Sequence, residues 1–266
     1  MNTPQDQLKR LEGLAINHEE LLILAEELIS RHGIARNILE QGEKKHDFHD
    51  YLFLSLTKAT KTFGSCHILL ENLRGEDALI LTRSIYECYL SVSFLFAHPE
   101  EIYSLVNGKV GLHIGEYKKK KNKIVNSESQ EEIGSIISVG HMARNTRWTE
   151  DVEIHKFIYP YLCSFSHMDI LTISQYLDGS NFTTTSALRA NQARLYSFYF
   201  YVLLINEFVL FKGFTESEKS FISESLNTYK KAVTPILEYM NSHVDNGNNP
   251  SNFLDRWQHI AIGWIS

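Results

Sequence analysis

The sequence predicts an all-α fold, a bundle of about six to eight helices packed around one central buried helix. Three observations predict it. Between Glu76 and Pro99 apolar residues fall on every side of a helical wheel. Leu79, Ile80, Leu90 and Phe94 form one stripe, and Leu81, Ile85, Cys88, Val92 and Leu95 form another, the pattern of a helix covered all round. Four of the five prolines, Pro4, Pro99, Pro160 and Pro250, stand where helices would begin or end, and Pro235 would kink one. No segment shows strand alternation bounded by hairpin turns.

The elements follow in order. A first helix is predicted over Pro4 to Gln41, broken near Gly33, with Leu21, Leu24, Ala25, Leu28 and Ile29 as its apolar face. Gly42 and the charged run Glu43 to Asp50 form a junction, and a second helix covers Tyr51 to Leu73. The link Arg74-Gly75-Glu76 is so short that this helix and the central one must form an antiparallel hairpin. Beyond Pro99 the chain is weakly helical to Val106 and then polar. Lys118 to Lys121, Lys123 and the serine-rich acidic stretch Asn126 to Glu132 place a polar, mobile insertion near 107–132 in an otherwise single helical domain, 1–266. Ile133 to Met142 reads as a short helix, and Pro160 as the start of another reaching Leu177. Asp178-Gly179-Ser180-Asn181 is a turn cluster before an aromatic-rich helix, Ser186 to Phe211. Thr215 with Glu218 is a capping box opening a helix to Met240, and Phe253 to Ile265 is the last amphipathic helix.

At 266 residues, 43% hydrophobic and 22% charged, the chain has the composition of a soluble globular protein. A formal charge of −6 excludes an extended nucleic-acid surface but not a local basic patch. Cys66, Cys88 and Cys163 are widely spaced in apolar segments, as free thiols of a reducing compartment are. The polar N-terminus lacks the features of a signal peptide, and the run Tyr196 to Phe211 is broken by Asn206 and Glu207, so the expectation is a cytoplasmic protein without a membrane partner.

Chemistry-bearing residues concentrate in two places. Arg83 and Glu87 lie one turn apart in the central helix, and ionisable groups in a buried helix must be paired or must serve a purpose. They are read either as a register-fixing polar network or as a guanidinium facing a pocket for a phosphate or carboxylate. Ser164 and His167 share one face of a later helix, smoothed by Cys163 and Ser174, so His167 can reach the central helix as a core histidine, a general base or a ligand. Arg83, Glu87 and His167 are therefore the candidate catalytic residues, and Arg83, Glu87, Ser164, His167, Arg147 and Trp148 the candidate ligand-binding ones. Trp148 with Arg144 and Arg147 forms a local basic and aromatic patch, read in preference as an anchored loop with the indole plugged into the core. Glu43-x-x-His46 with His49, and His67 with Glu71, have metal-ligand spacing, but a di-metal bundle needs two Glu-x-x-His motifs and further carboxylates. No metal and no cofactor is expected, and no phosphate-loop or dinucleotide fingerprint is present. The crowd Tyr196, Phe198, Tyr199, Phe200, Tyr201 and Phe208 reads as core, with any surplus suited to a homodimer interface.

Arg83-x-x-x-Glu87, Trp148, Tyr161 and Ser164-x-x-His167 together are similar to the pattern of an uncharacterised family of helical bacterial proteins, a domain of unknown function, over roughly Tyr51 to Leu177. That resemblance implies a fold and no activity. The chain also distantly resembles the HEPN helical ribonucleases and their inactive relatives, whose active members carry an arginine a few residues before a histidine on one helix. Here Tyr161, Leu162 and Cys163 stand where that arginine would fall. Two functional classes stay open: a non-catalytic binding or interaction module of the stress- or defence-related kind, and a metal-independent, HEPN-like nuclease or nucleotide-acting enzyme. The corresponding partners are a small anionic ligand, RNA, or a second copy of the chain.

Overall fold

The computed structural model of the protein describes residues 22–23, 25–27, 29–30, 47–121, 123–149, 151–166, 176–178, 181–185, 187–209, 215–217, 219–220 and 222–223. The chain runs through α1 (Asp47–Glu71), α2 (Gly75–Ala97), a 3-10 turn (Pro99–Glu101) and α3 (Ile102–Ile114). Three strands follow, β1 (Tyr117–Lys120), β2 (Lys123–Asn126) and β3 (Glu132–Ser135), then α4 (Val139–Arg144) and α5 (Asp151–Ser166). A two-residue strand pair, β4 (Leu177–Asp178) and β5 (Asn181–Phe182), precedes α6 (Ala187–Val209). Among the described residues the architecture is a helical bundle with a three-stranded sheet and a two-residue strand pair.

The central helix is α2, and it packs on α6, α1, α5 and α4. Glu76 and Asp77 in its first turn suit the positive end of the helix dipole, and the residue before Pro99 ends it. Leu79, Ile85, Tyr86, Tyr89, Leu90, Val92, Phe94 and Leu95 are all buried. By length and composition α2 could cross a membrane, but its burial among other helices makes it a core helix. It meets α1 through a tight cap: the amides of Arg74 and Leu73 bond back to the carbonyls of Leu69 and Leu70 at 2.9 and 3.1 Å. That is a Schellman closure with Leu73 (φ 54°) in the left-handed position where glycine is usual. The bend thus falls one residue ahead of the Arg74-Gly75-Glu76 link read from the sequence.

On the far side of α2, α6 supplies the aromatic core. Phe63 of α1 stacks on Tyr201 with ring centres 4.0 Å apart, and the Tyr201 hydroxyl meets Thr60 Oγ1 at 2.9 Å. Phe208 sits edge-on to Phe53, and Phe200 packs on Tyr86. Phe198, Tyr199, Phe200, Tyr201 and Phe208 are enclosed by the chain's own core, with Tyr196 half-buried. The expected surplus for a homodimer interface is therefore absent from these five rings.

Three local expectations are corrected. The polar stretch near 107–132 holds the end of α3 and an antiparallel β1-β2-β3 meander, where no strand was expected. Gly115 (φ 83°) ends α3, the Tyr117 ring lies where a side chain at Gly111 would have to go, and Ile124 and Val125 turn inward. Asn126 Oδ1 then accepts from the amides of Glu128 and Ser129, closing the second turn. Ile133 to Met142 is strand β3 followed by α4, with Ser138 Oγ capping the amide of His141 at 3.1 Å. Pro160 lies inside α5 on its solvent side, and the helix starts at Asp151. The predicted first helix before Leu22, Glu43 and His46, the stretch 167–175, and the predicted helix from Phe253 lie outside the described residues. Of the 215–240 helix, 216–217, 219–220 and 222–223 are helical, behind a bond from the amide of Lys219 to the Thr215 carbonyl.

Candidate functional site

The packing of α5 on α2 brings Tyr159 against the Arg83–Glu87 turn. Arg83 Nε donates to Glu87 Oε1 at 2.9 Å, and Arg83 Nη2 donates to the Tyr159 hydroxyl at 3.2 Å. That hydroxyl donates to Glu87 Oε1 at 3.1 Å, closing a ring of three groups. The guanidinium also lies over the Tyr159 ring, 5.3 Å from its centre. The weaker same-helix order, arginine before glutamate, is thus completed by a partner from a neighbouring helix.

The ring sits at a rim and not in a sealed interior. Arg83 and Glu87 keep 27% and 32% of their side-chain surface exposed. The sequence pattern placed them inside an all-round apolar helix. The correction is that α2 leaves one edge, Ile80, Arg83, Ser84 and Glu87, half-covered.

The electrostatics hold Arg83 and Tyr159 each in one state. Burial would lower the Arg83 pKa, but the bond and charge of Glu87 outweigh it and the net shift is upward. Burial, then the Glu87 charge, push the Tyr159 phenol up to about 12. The guanidinium stays charged and the phenol stays protonated throughout the neutral range. His155, one turn before Tyr159, stacks on that ring with centres 4.6 Å apart. Burial and the nearby Arg144 charge lower its pKa, so it is neutral at pH 7. Its Nδ1 is buried and accepts or donates no hydrogen bond among the described residues.

On the side of Glu87 facing α1 lies a cleft of about 290 Å³. Tyr51, Leu54, Ser55 and Lys58 of α1 form one wall, Glu87, Cys88 and Ser91 of α2 the floor, and Ile137, Val139 and Met142 the other wall. Ser91 Oγ donates to the Glu87 carbonyl at 2.8 Å and lies 3.5 Å from Met142 Sδ. Burial raises the Tyr51 phenol despite the hydroxyls of Ser91 and Ser55 beside it.

The other sequence candidates separate from this place. Arg147 pairs with Glu207 Oε2, and Trp148 Nε1 donates to Glu207 Oε1 at 2.8 Å. Arg147 also lies over the rings of Phe96 and Trp148. One residue group along, the Tyr89 hydroxyl donates to both oxygens of buried Asp151 at 2.8 Å, and Thr146 Oγ1 donates to Oδ2 at 2.7 Å. The α4–α5 loop is thus anchored by two buried carboxylates, while the Trp148 side chain is half-buried and lies outside the buried core into which the sequence reading plugged it. Ser164 Oγ donates back to the carbonyl of Tyr161 at 2.7 Å, within its own helix. His167 lies outside the described residues. His67 and Glu71 pair with each other at 3.1 Å on the surface.

Sequence reasoning missed Tyr159, His155, Lys58, Asp151 and Glu207. Glu207 carried a signal, a charge inside an apolar run, the same one that marked Glu87. Tyr159 carried none, because a tyrosine on an apolar helix reads as core until its partner is known.

No curated protein and no solved structure matches the chain. Residues 49–184, from the start of the α1–α2 hairpin through β5, match a family model. The matched span carries the Arg83–Glu87–Tyr159 ring and every residue of the cleft. The chain belongs to a family of unknown function (DUF5677).

Proposed function

We propose that this protein is a non-catalytic, cytoplasmic helical binding module that takes a small ligand bearing an anionic group in the cleft beside Glu87. The observation that carries the reading is the double position of Glu87. One of its oxygens is fixed by Arg83 and Tyr159, and its side chain also lines the cleft. A fixed charge beside convergent hydroxyls and an apolar wall is the make-up of a ligand site. The ring favours binding over catalysis, because a guanidinium held charged and a phenol pushed up to about 12 exchange no proton near neutral pH. Lys58, exposed at the mouth and without an ion-pair partner among the described residues, is the cation that would meet the anionic group. Buried Cys66 and Cys88 and half-buried Cys163, all free thiols, support a reducing compartment.

The test is ligand-observed NMR with a mixture of small polar metabolites on the wild type and on Val139→Trp, which fills the cleft from its wall. Compounds that bind the wild type and lose binding in the variant support the reading. No binders, or binders indifferent to Val139→Trp, remove it. A parallel incubation with single-stranded RNA decides the enzyme alternative: cleavage lost in His167→Ala would establish the ribonuclease in place of the module.

A further inference from the structure

The cleft carries a cation and a carboxylate beside an apolar wall of Leu54, Ile137, Val139 and Met142, and this combination names a class of ligand. The link at 72–74 makes α1 and α2 antiparallel, and Lys58 and Glu87–Cys88 stand about equally far from it. A cation and a carboxylate therefore line the cleft at the same level. The two are not bonded to each other: Glu87 is paired with Arg83, and Lys58 has no ion-pair partner among the described residues. Glu87 Oε2 likewise accepts no hydrogen bond from the described residues, since Arg83 and Tyr159 both use Oε1. One turn beyond this level the lining is Leu54, Val139 and Met142 together with the hydroxyl residues Tyr51, Ser55 and Ser91, of which Ser91 touches Met142. Leu54 is 63% exposed, a large apolar side chain left open at the lip.

A ligand that satisfies the charged pair and the apolar wall carries an anionic and a cationic group close together and an apolar body beside them. A plain carboxylate would meet Lys58 but would bring a like charge up to Glu87; a plain amine would meet Glu87 but face Lys58. We propose that the cleft binds a free α-amino acid with an apolar side chain. Its carboxylate lies on Lys58 Nζ, its ammonium on Glu87 Oε2, and its side chain against Leu54, Val139 and Met142. A volume of about 290 Å³ is large enough for a ligand of that size. The Arg83–Tyr159 pair then acts as a positioning device: its two hydrogen bonds to Oε1 hold the Glu87 side chain in one rotamer before the ligand arrives. This proposal rests on the cleft-binding reading above and specifies its ligand.

Three probes separate the parts: L-phenylalanine, 3-phenylpropionate, which lacks the ammonium, and 2-phenylethylamine, which lacks the carboxylate. Affinities are measured by NMR titration on the wild type, Lys58→Ala, Glu87→Gln and the control Lys61→Ala. Phenylalanine is expected to bind at least about tenfold tighter than either truncated probe, since each charged contact contributes about 1.5 kcal/mol or more. Lys58→Ala should weaken phenylalanine by about tenfold and leave phenylethylamine no weaker. Glu87→Gln should weaken phenylalanine and leave phenylpropionate no weaker, and Lys61→Ala should change nothing. Lys58 is exposed, so its variant folds even if Glu87→Gln does not. A truncated probe binding as tightly as phenylalanine, equal phenylalanine affinity in Lys58→Ala, or no binding by any of the three overturns the proposal. The cleft-binding reading falls separately, only if the metabolite mixture yields no binder sensitive to Val139→Trp.

Discussion

Two polar clusters touch the central helix, and water reaches them differently. At the Arg147–Trp148–Glu207 cluster the carboxylate is completely buried and meets an indole and a guanidinium. At the Arg83–Glu87–Tyr159 cluster the carboxylate is about one-third exposed and opens onto a cleft. Both clusters pair a glutamate, an arginine and an aromatic donor. The two arginines are about equally exposed, at 32% and 27%, so what separates the clusters is burial of the carboxylate, and that decides what the pairing is for. A sealed carboxylate must be matched to be tolerated at all, so its partners are structural. A carboxylate at a rim is already stabilised by water, so its partners add little to stability and instead fix its position.

The comparison is broken most readily at the sealed end. Arg147→Met keeps much of the stacked volume over Phe96 and Trp148 but leaves the buried Glu207 carboxylate without its guanidinium. A loss of about 3–5 kcal/mol is expected in urea denaturation. A loss below about 1 kcal/mol would mean that water enters there.

At the rim the same kind of deletion should be mild. Tyr159→Phe removes one hydroxyl that accepts from Arg83 and donates to Glu87, at about 1 kcal/mol. Its ligand affinity should fall more than its stability, because Glu87 loses one of the two donors that orient it. Affinity unchanged alongside a large drop in melting temperature would reverse the roles of the two clusters.

The smallest expected effect is a pH slope from His155. Its pKa is lowered in the folded protein, first by burial and then by Arg144, so the unfolded chain takes up the proton first. Stability from this residue is therefore full well above the ordinary imidazole pKa of about 6.5 and declines as pH falls through it. Tyr86 and Tyr159 flank the ring on either side, and neither offers a compensating negative charge at these pH values. His155→Gln should lose less stability than the wild type between about pH 7.5 and about pH 5.5. An equal or larger loss would contradict the assignment.

Much of the fold was legible in the sequence, and the reason is periodicity. The apolar wheel from Leu79 to Leu95 identifies the central helix because only a covered helix tolerates it, and the short link fixes its hairpin with α1. The meander escaped because its strands are four residues long and β1 is three exposed lysines after one tyrosine. Its order comes from contacts with no periodic trace, such as the Tyr117 ring over Gly111. At the site, Arg83 and Glu87 announced themselves as charges in an apolar helix. Their degree of burial did not, because a helical wheel shows which residues share a face and not which neighbour stops short of covering it. Tyr159 and Lys58 join the site only through the packing of α5 and α1 on α2.

The most direct test compares the two glutamates themselves. Glu207→Gln and Glu87→Gln make the same chemical change, neutralising a carboxylate that accepts from an arginine and an aromatic donor. Urea denaturation of both variants beside the wild type should show Glu207→Gln the less stable by at least about 2 kcal/mol, with Glu87→Gln within about 1 kcal/mol of wild type. Equal losses, or the larger loss at Glu87, would contradict the division into a sealed structural cluster and an open binding one.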